Sequence, residues 1–268
     1  MKSLYCILLL VLFAGQEVHS QKWTIHTSAN GFTNVMETFT QDKNNTYWVG
    51  SVNNGIYKYD GNSWSKPTSN TPSEIYDIIV ANGDIWAGTN EGLLHIPNFD
   101  DTKMKLLKYN NDISQNLFYS IAYDSTGTIW LGTGDINKTM LLKYYGNEWN
   151  LIDCKSLGAQ SYISAVIVDS QNRKWFTSAA GVTIYNDTTF TTFNSMNSNL
   201  PNAAFTCLEL DKKGNIWIGT FGYGVYKFNG TQFENFNSSN STLPNGLMVN
   251  GIVRDKFDNI WIGTQNTG

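Results

Sequence analysis

Between residues 203 and 236 the apolar and polar positions fall into four short runs divided by turn signals. Ala203–Leu210 reads as a β-strand ending at Asp211, and Lys212-Lys213-Gly214 turns the chain. Asn215–Thr220 and Tyr223–Asn229 read as two more strands. Gly230-Thr231 turns again, and Gln232–Phe236 is the fourth. We label the four a to d. Strand b carries Ile216-Trp217-Ile218 without alternation, so both of its faces must be covered. None of the runs has the 3.6-residue period of a helix.

The same pattern recurs along the chain. Strand b is repeated around Trp48, Trp86, Trp130, Trp175, Trp217 and Trp261, at spacings of 38, 44, 45, 42 and 44 residues. A period in this range means a propeller, a solenoid or an array. Four-stranded antiparallel meanders with both faces covered select an all-β propeller, whose blades stack on one another. The expectation is five full blades and the first half of a sixth. Trp64 and Trp149 fall on strand d, and Trp23 in Trp23–Thr27 matches the strand d position of a closing strand.

The turn between strands a and b checks this reading. Asp124 and Asp211 are followed three residues later by Gly127 and Gly214, as a type I turn prefers. Asp42, Asp169 and Asp255 are followed by Asn45, Asn172 and Asp258, which tolerate the left-handed conformation. The second repeat is one residue shorter and reads Ala81-Asn82-Gly83-Asp84, the two-residue hairpin signal. Repetition spreads the five Asp apart instead of pairing them, so turn capping is favoured over catalysis. The Trp are packing residues, and Trp217→Ala is expected to cost about 3–5 kcal/mol.

The N-terminus follows a different pattern. Lys2, an apolar run from Leu4 to Ala14, and Val18 and Ser20 at the −3 and −1 sites read as a secretory leader. Residues 1–20 are therefore expected to be a signal peptide cleaved before Gln21, with 21–268 the propeller domain. That domain is expected to be incomplete at its C-terminus, because the last repeat stops before its strand c. No run of 18 apolar residues is present, so no transmembrane segment is visible. The mature domain is expected to be extracytoplasmic, periplasmic or secreted.

Composition narrows the partners. The chain has 268 residues, 15% of them charged, and a net charge of −4. It lacks the basic field that nucleic acid requires. Cys154 and Cys207 remain after the leader and occupy different repeat positions, which favours free thiols over a bridge. His26 and His95 have no ligand-like spacing, so neither a metal nor a cofactor is expected. His95 has no acid or base close to it in sequence, which favours a strand histidine over a catalytic one. Gly132-Thr133-Gly134 and Gly222-Tyr223-Gly224 open strands rather than helices, so they do not cradle phosphate.

The string Asp211-Lys212-Lys213-Gly214-Asn215-Ile216-Trp217-Ile218-Gly219-Thr220, with Gly222-Tyr223-Gly224 after it, resembles the two-component regulator propeller repeat. So does the lead-in Asn199-Leu200-Pro201-Asn202, echoed by Thr242-Leu243-Pro244-Asn245. The resemblance extends from Trp23 to Gly268. It implies a propeller, typically seven-bladed, outside the cytoplasmic membrane of certain Gram-negative bacteria. Many members are sensor halves of hybrid histidine kinases that respond to glycans, and others are secreted. The fourth repeat departs from the pattern with Phe176-Thr177-Ser178, and the third carries an insertion at Gly134–Thr139.

In a propeller the b–c and d–a loops share one face. Asn53, Asn90, Glu91, Asp135, Phe221 and Tyr223 are the ligand-binding candidates there, since amides, carboxylates and aromatic faces suit sugars or another small polar ligand. The leading expectation is a non-catalytic sensing or ligand-binding module. It would recognise glycans and feed a two-component system through a downstream histidine kinase or envelope protein. The alternatives are a propeller enzyme, such as a polysaccharide lyase with His95 or a Tyr as base, and a surface scaffold that binds proteins.

Overall fold

The structure is a computed structural model that describes residues 8–9, 24–25, 36–67, 70–110, 116–134, 140–157, 162–244, 246 and 248–265. It is an all-β propeller of five four-stranded antiparallel blades, with a further hairpin. No α-helix occurs among the described residues. The chain divides into two compact units, one of residues 1–90 and 94–107, the other of 91–93 and 108–268.

The first unit begins with β1 (Leu8–Leu9) paired to β2 (Thr24–Ile25). Residues 24–25 are thus a strand, as their pattern suggests, but their partner is β1 rather than a blade. Blade 1 is β3 (Met36–Gln41), β4 (Tyr47–Ser51), β5 (Gly55–Tyr59) and β6 (Trp64–Ser65). Blade 2 is β7 (Ile75–Ala81), β8 (Asp84–Thr89), β9 (Leu93–Ile96) and β10 (Lys105–Leu107). Their shared core holds Trp48, Ile56, Ile75, Ile78, Ile85 and Leu94.

The second unit holds blade 3, of β11 (Phe118–Tyr123), β12 (Ile129–Thr133), β13 (Met140–Tyr145) and β14 (Glu148–Asp153). Blade 4 is β15 (Val166–Val168), β16 (Lys174–Ser178), β17 (Gly181–Tyr185) and β18 (Phe190–Phe193). Blade 5 is β19 (Phe205–Leu210), β20 (Ile216–Thr220), β21 (Val225–Phe228) and β22 (Phe233–Phe236). The hairpin of β23 (Val249–Arg254) and β24 (Ile260–Thr264) is the first half of the sixth repeat. Trp64 and Trp149 lie on strand d as expected, and Trp23 lies outside the described residues.

The repeated Asp does more than cap a turn. In blade 3 its backbone carbonyl accepts from Gly127, and Asp124 Oδ1 accepts the amides of Thr126 and Thr128. Its second oxygen, Oδ2, accepts the indole Nε1–H of Trp130 at 2.8 Å. Asp42–Trp48, Asp169–Trp175, Asp211–Trp217 and Asp255–Trp261 repeat that bond at 2.9, 2.8, 3.1 and 3.1 Å. One carboxylate therefore sets the turn and satisfies a donor that packing would otherwise strand. Asn45, Asn172 and Asp258 adopt φ of 62°, 62° and 72°, as the turn requires. In the two-residue turn of blade 2, Asn82 and Gly83 have φ of 53° and 83°.

The Gly after strand b's Trp is a packing requirement. A Cβ on Gly132 would lie 2.5 Å from Ile163 Cγ2 and 2.6 Å from Ser120 Oγ. Blade 4 carries Thr177 at this position and adapts by shortening strand a to β15, three residues. Ser164 and Ala165, which would have extended that strand, bond the Thr177 hydroxyl at 2.6 and 3.1 Å. Backbone bonds persist there as well, with Thr177 N donating to Ala165 O and Ser164 N to Thr177 O, so the hydroxyl bonds add to the pairing.

Candidate functional site

In blades 2, 3 and 5 and in the hairpin of the sixth repeat, the residue after strand b donates its amide to the residue before strand a. Asn90 bonds Glu74 O, Gly134 bonds Leu117 O, Phe221 bonds Ala204 O and Gln265 bonds Met248 O, at 2.8 to 3.2 Å. These bonds place the b–c and d–a loops of these repeats at one end, where the sequence puts its ligand candidates.

In the first unit, Asn53 is exposed with φ 66°, and Gly55 in its loop donates to Ser73 O at 2.9 Å. Asn90 meets the same residue, since its Nδ2 donates to Ser73 Oγ at 3.0 Å while its Oδ1 accepts Glu74 N. The two Asn loops therefore converge on Ser73, but the Asn90 amide already serves the d–a segment. Tyr76 donates its hydroxyl to Glu74 close by. Burial, reinforced by the charge of Glu74, pushes the Glu37 carboxyl above its ordinary value.

Glu91 is exposed, and Asp135 lies outside the described residues. Phe221 and Tyr223 come together on the b–c loop of blade 5, 55% and 53% exposed. Gly222 and Gly224 flank Tyr223 with φ of 86° and 79°, and Tyr223 N donates to Thr220 Oγ1. The turn holds two aromatic rings out to solvent, so of the six candidates these offer the most open apolar surface.

The d–a loops of blades 4 and 5 use most of their amides internally. Asn194 Oδ1 accepts Met196 N, and Asn197 Oδ1 accepts Asn194 N. Asn197 Nδ2 donates to Thr192 O on β18. Asn237, Ser239 and Asn240 repeat the arrangement on β22, where Asn240 Nδ2 reaches Asn235 O. The Asn-rich composition that suggested sugar contacts is therefore spent largely on loop geometry.

A cleft of about 910 Å³ opens beside β18, and sequence reasoning did not single it out. Ala179 and Ala180 of the blade 4 b–c loop line it, with Asn194–Asn197 and Asn202 of the d–a loop. Ser156, Leu157, Thr189, Phe190 and Thr192 complete its walls. No lining residue carries a charge.

His95 sits at the other end of blade 2. Its Nε2 lies 2.7 Å from Asp84 Oδ2, and its ring stacks on Trp86. Cys154 and Cys207 are free thiols, each pushed up to about 11 by burial. Among the described residues no cluster of His, Cys, Asp and Glu could hold a metal ion.

The family model for the two component regulator propeller matches residues 112–135, 199–222 and 242–266. These three segments are similar to the two-component regulator propeller repeat. Each matched segment contains strands a and b with their Asp–Trp turn. No curated protein matches the sequence. Among solved structures, the chain is similar to the extracellular domain of a hybrid two-component system of B. thetaiotaomicron. The two are 21% identical with TM-score 0.68, over 87% of this chain and 31% of that one. It is also similar to PorZ, a surface component of the type-IX secretion system of Porphyromonas gingivalis. That match is 17% identical with TM-score 0.67, over 93% of this chain and 42% of that one. Virginiamycin B lyase of Staphylococcus aureus matches at 15% identity and TM-score 0.70, over 85% of this chain and 76% of that one. At these identities the likeness is one of fold. The chain spans less than half of the length of the first two. No helix among the described residues is long and apolar enough to cross a membrane.

Proposed function

We propose that this chain is a non-catalytic, extracytoplasmic ligand-sensing propeller that recognises a glycan and feeds a two-component system. The observation that carries the reading is the loop end of blade 5, where Phe221 and Tyr223 are held open to solvent among neutral polar groups. Aromatic faces beside hydroxyls and amides suit a sugar ring, which is apolar on its faces and polar at its rim. Asn53, Asn90, Glu91 and Asp135 are the further residues proposed to serve such a site. The repeats and the extracellular sensor among the similar structures support the signalling role. A downstream histidine kinase or envelope protein would be the partner. Residues 1–20 would direct export and be cleaved before Gln21, and N-terminal sequencing of the exported protein tests that step.

The lyase likeness motivates an alternative, in which His95 acts as base. His95 is engaged by Trp86 and Asp84, which favours a structural role instead. Calorimetric screening of the full chain against a polysaccharide panel should give binding without turnover. Product release that disappears in His95→Ala would overturn the non-catalytic reading.

A further inference from the structure

Charge is segregated along blades 4 and 5. Their a–b and c–d turns carry Asp169, Arg173, Asp187, Asp211, Lys212 and Lys213. At the opposite end, residues 179–180, 194–204, 221–224 and 237–248 contain no Asp, Glu, Lys or Arg. The cleft runs along β18, from Thr189 and Phe190 at its start to Asn194–Asn197 at that neutral end. Most of its amides and hydroxyls are committed to the loop, but among the described residues Ser156, Ser195 and Asn202 have side chains with no hydrogen-bond partner. Met196 stands 89% exposed at its rim and Phe190 lies in its wall. Its volume falls within the range of small-molecule sites, roughly 300–1,000 Å³.

The geometry points to this cleft as the binding site for an uncharged oligosaccharide, contacted by Ser156, Ser195 and Asn202 and by the apolar surfaces of Met196 and Phe190. This rests on the glycan-binding reading, adds the ligand's class, and places it in the cleft rather than at Phe221 and Tyr223, which do not line it. An acidic polysaccharide would have to surrender water around carboxylate or sulfate groups with no cation among the described lining residues to receive them. A neutral sugar exchanges hydroxyl–water bonds for bonds to unpaired hydroxyls and an amide at little net cost. Its C–H faces gain burial against Met196 and Phe190.

Affinity electrophoresis of the full chain tests this, with galactomannan, xylan and mixed-linkage glucan as neutral probes and polygalacturonate and heparin as acidic ones. Retardation by a neutral polymer should persist at about 0.5 M salt, where exposed charges are screened. Asn202→Ala should weaken it roughly two- to tenfold, and Ala179→Trp, which fills the cleft, should abolish it. Both residues are exposed, so the fold should tolerate these changes, and an unaltered melting midpoint checks that. Neutral binding unchanged in both variants, or lost only in Phe221→Ala, overturns the cleft. Retardation by acidic polymers alone overturns the neutral class and leaves glycan recognition standing. Retardation by none overturns glycan recognition itself.

Discussion

His95 lies flat on Trp86, with ring centroids 3.8 Å apart and planes within 11°. Blade 2 is the one full blade with no Asp six residues before its strand b Trp, and the pair stands in its place. Asp84 holds the far side of the imidazole at 2.7 Å and takes Asn98 N on its other oxygen. A stacked aromatic pair and one charged hydrogen bond together contribute about 1–3 kcal/mol. His95→Ala should lower denaturant stability by that amount. His95→Phe keeps the ring and should recover part of it. Equal losses in the two variants would show that the stack contributes nothing.

The Asp–Trp bonds predict a graded tryptophan series. Trp175 is 1% exposed and packs on Phe228 across the blade 4–blade 5 interface. Trp175→Ala should cost about 3–5 kcal/mol through cavity formation. The sequence assigns that loss to Trp217, but Trp217 is half-buried, so its truncation should cost less. Trp130→Phe is narrower, since it keeps a ring and leaves Asp124 Oδ2 without its indole donor. A loss of about 1–2 kcal/mol is expected. Denaturation midpoints that do not rank Trp175→Ala as the largest loss would contradict this order.

The blades were legible because a propeller repeats its local chemistry, and each copy of the turn rule is an independent test. The second role of the Asp was hidden: the turn rule accounts fully for an Asp at its first position and says nothing of its other oxygen. Thr177 marked an irregular repeat in advance, but the shortened β15 goes with bonds from its hydroxyl to Ser164 and Ala165, 13 and 12 residues before it in sequence. The cleft was missed for a related reason. Asn and Ser content identifies polar loops, whereas a binding site depends on which amides remain after the loop has satisfied itself. The charge-free segments are visible in the sequence, but loop composition alone does not show which of them borders a cleft.

Lys174 is fully buried where four other repeats carry Ile. Its Nζ meets Asp187 Oδ1 at 2.6 Å and lies 4.5 Å from the centre of the Trp130 ring in blade 3. Breaking a buried pair from one side costs more than replacing the buried charge by an apolar residue. Asp187→Ala should therefore destabilise by about 1–3 kcal/mol, because it leaves the buried Lys174 Nζ with only the more distant Asp124 Oδ2, at 3.9 Å. Lys174→Ile should be neutral or stabilising. The opposite ranking in thermal melts would show that Lys174 holds blades 3 and 4 together by its charge.

The pH dependence of stability should have a maximum on the acid side of neutrality. Burial pushes the carboxyls of Asp124, Asp211 and Asp255 up, but hydrogen bonds from the turn and from the Trp side chain outweigh it and leave all three low. Asp255 falls to about 2. A depressed carboxylate contributes stability above its unfolded value of about 3.9, and that contribution is lost as pH falls through the folded value. Glu37 and Glu209 have the opposite sign, because burial raises both. Their folded forms bind a proton more tightly than the unfolded chain, so stability is gained as pH falls from above their folded values towards about 4.3. Acidification from neutrality should therefore first raise the denaturation midpoint and then, below about pH 4, lower it. Glu37→Gln should raise stability at neutral pH and flatten the first limb, and Asp211→Asn should lower neutral stability and flatten the second. A profile that declines steadily from pH 7, unaltered by Glu37→Gln, would show that the buried glutamates exert no such strain.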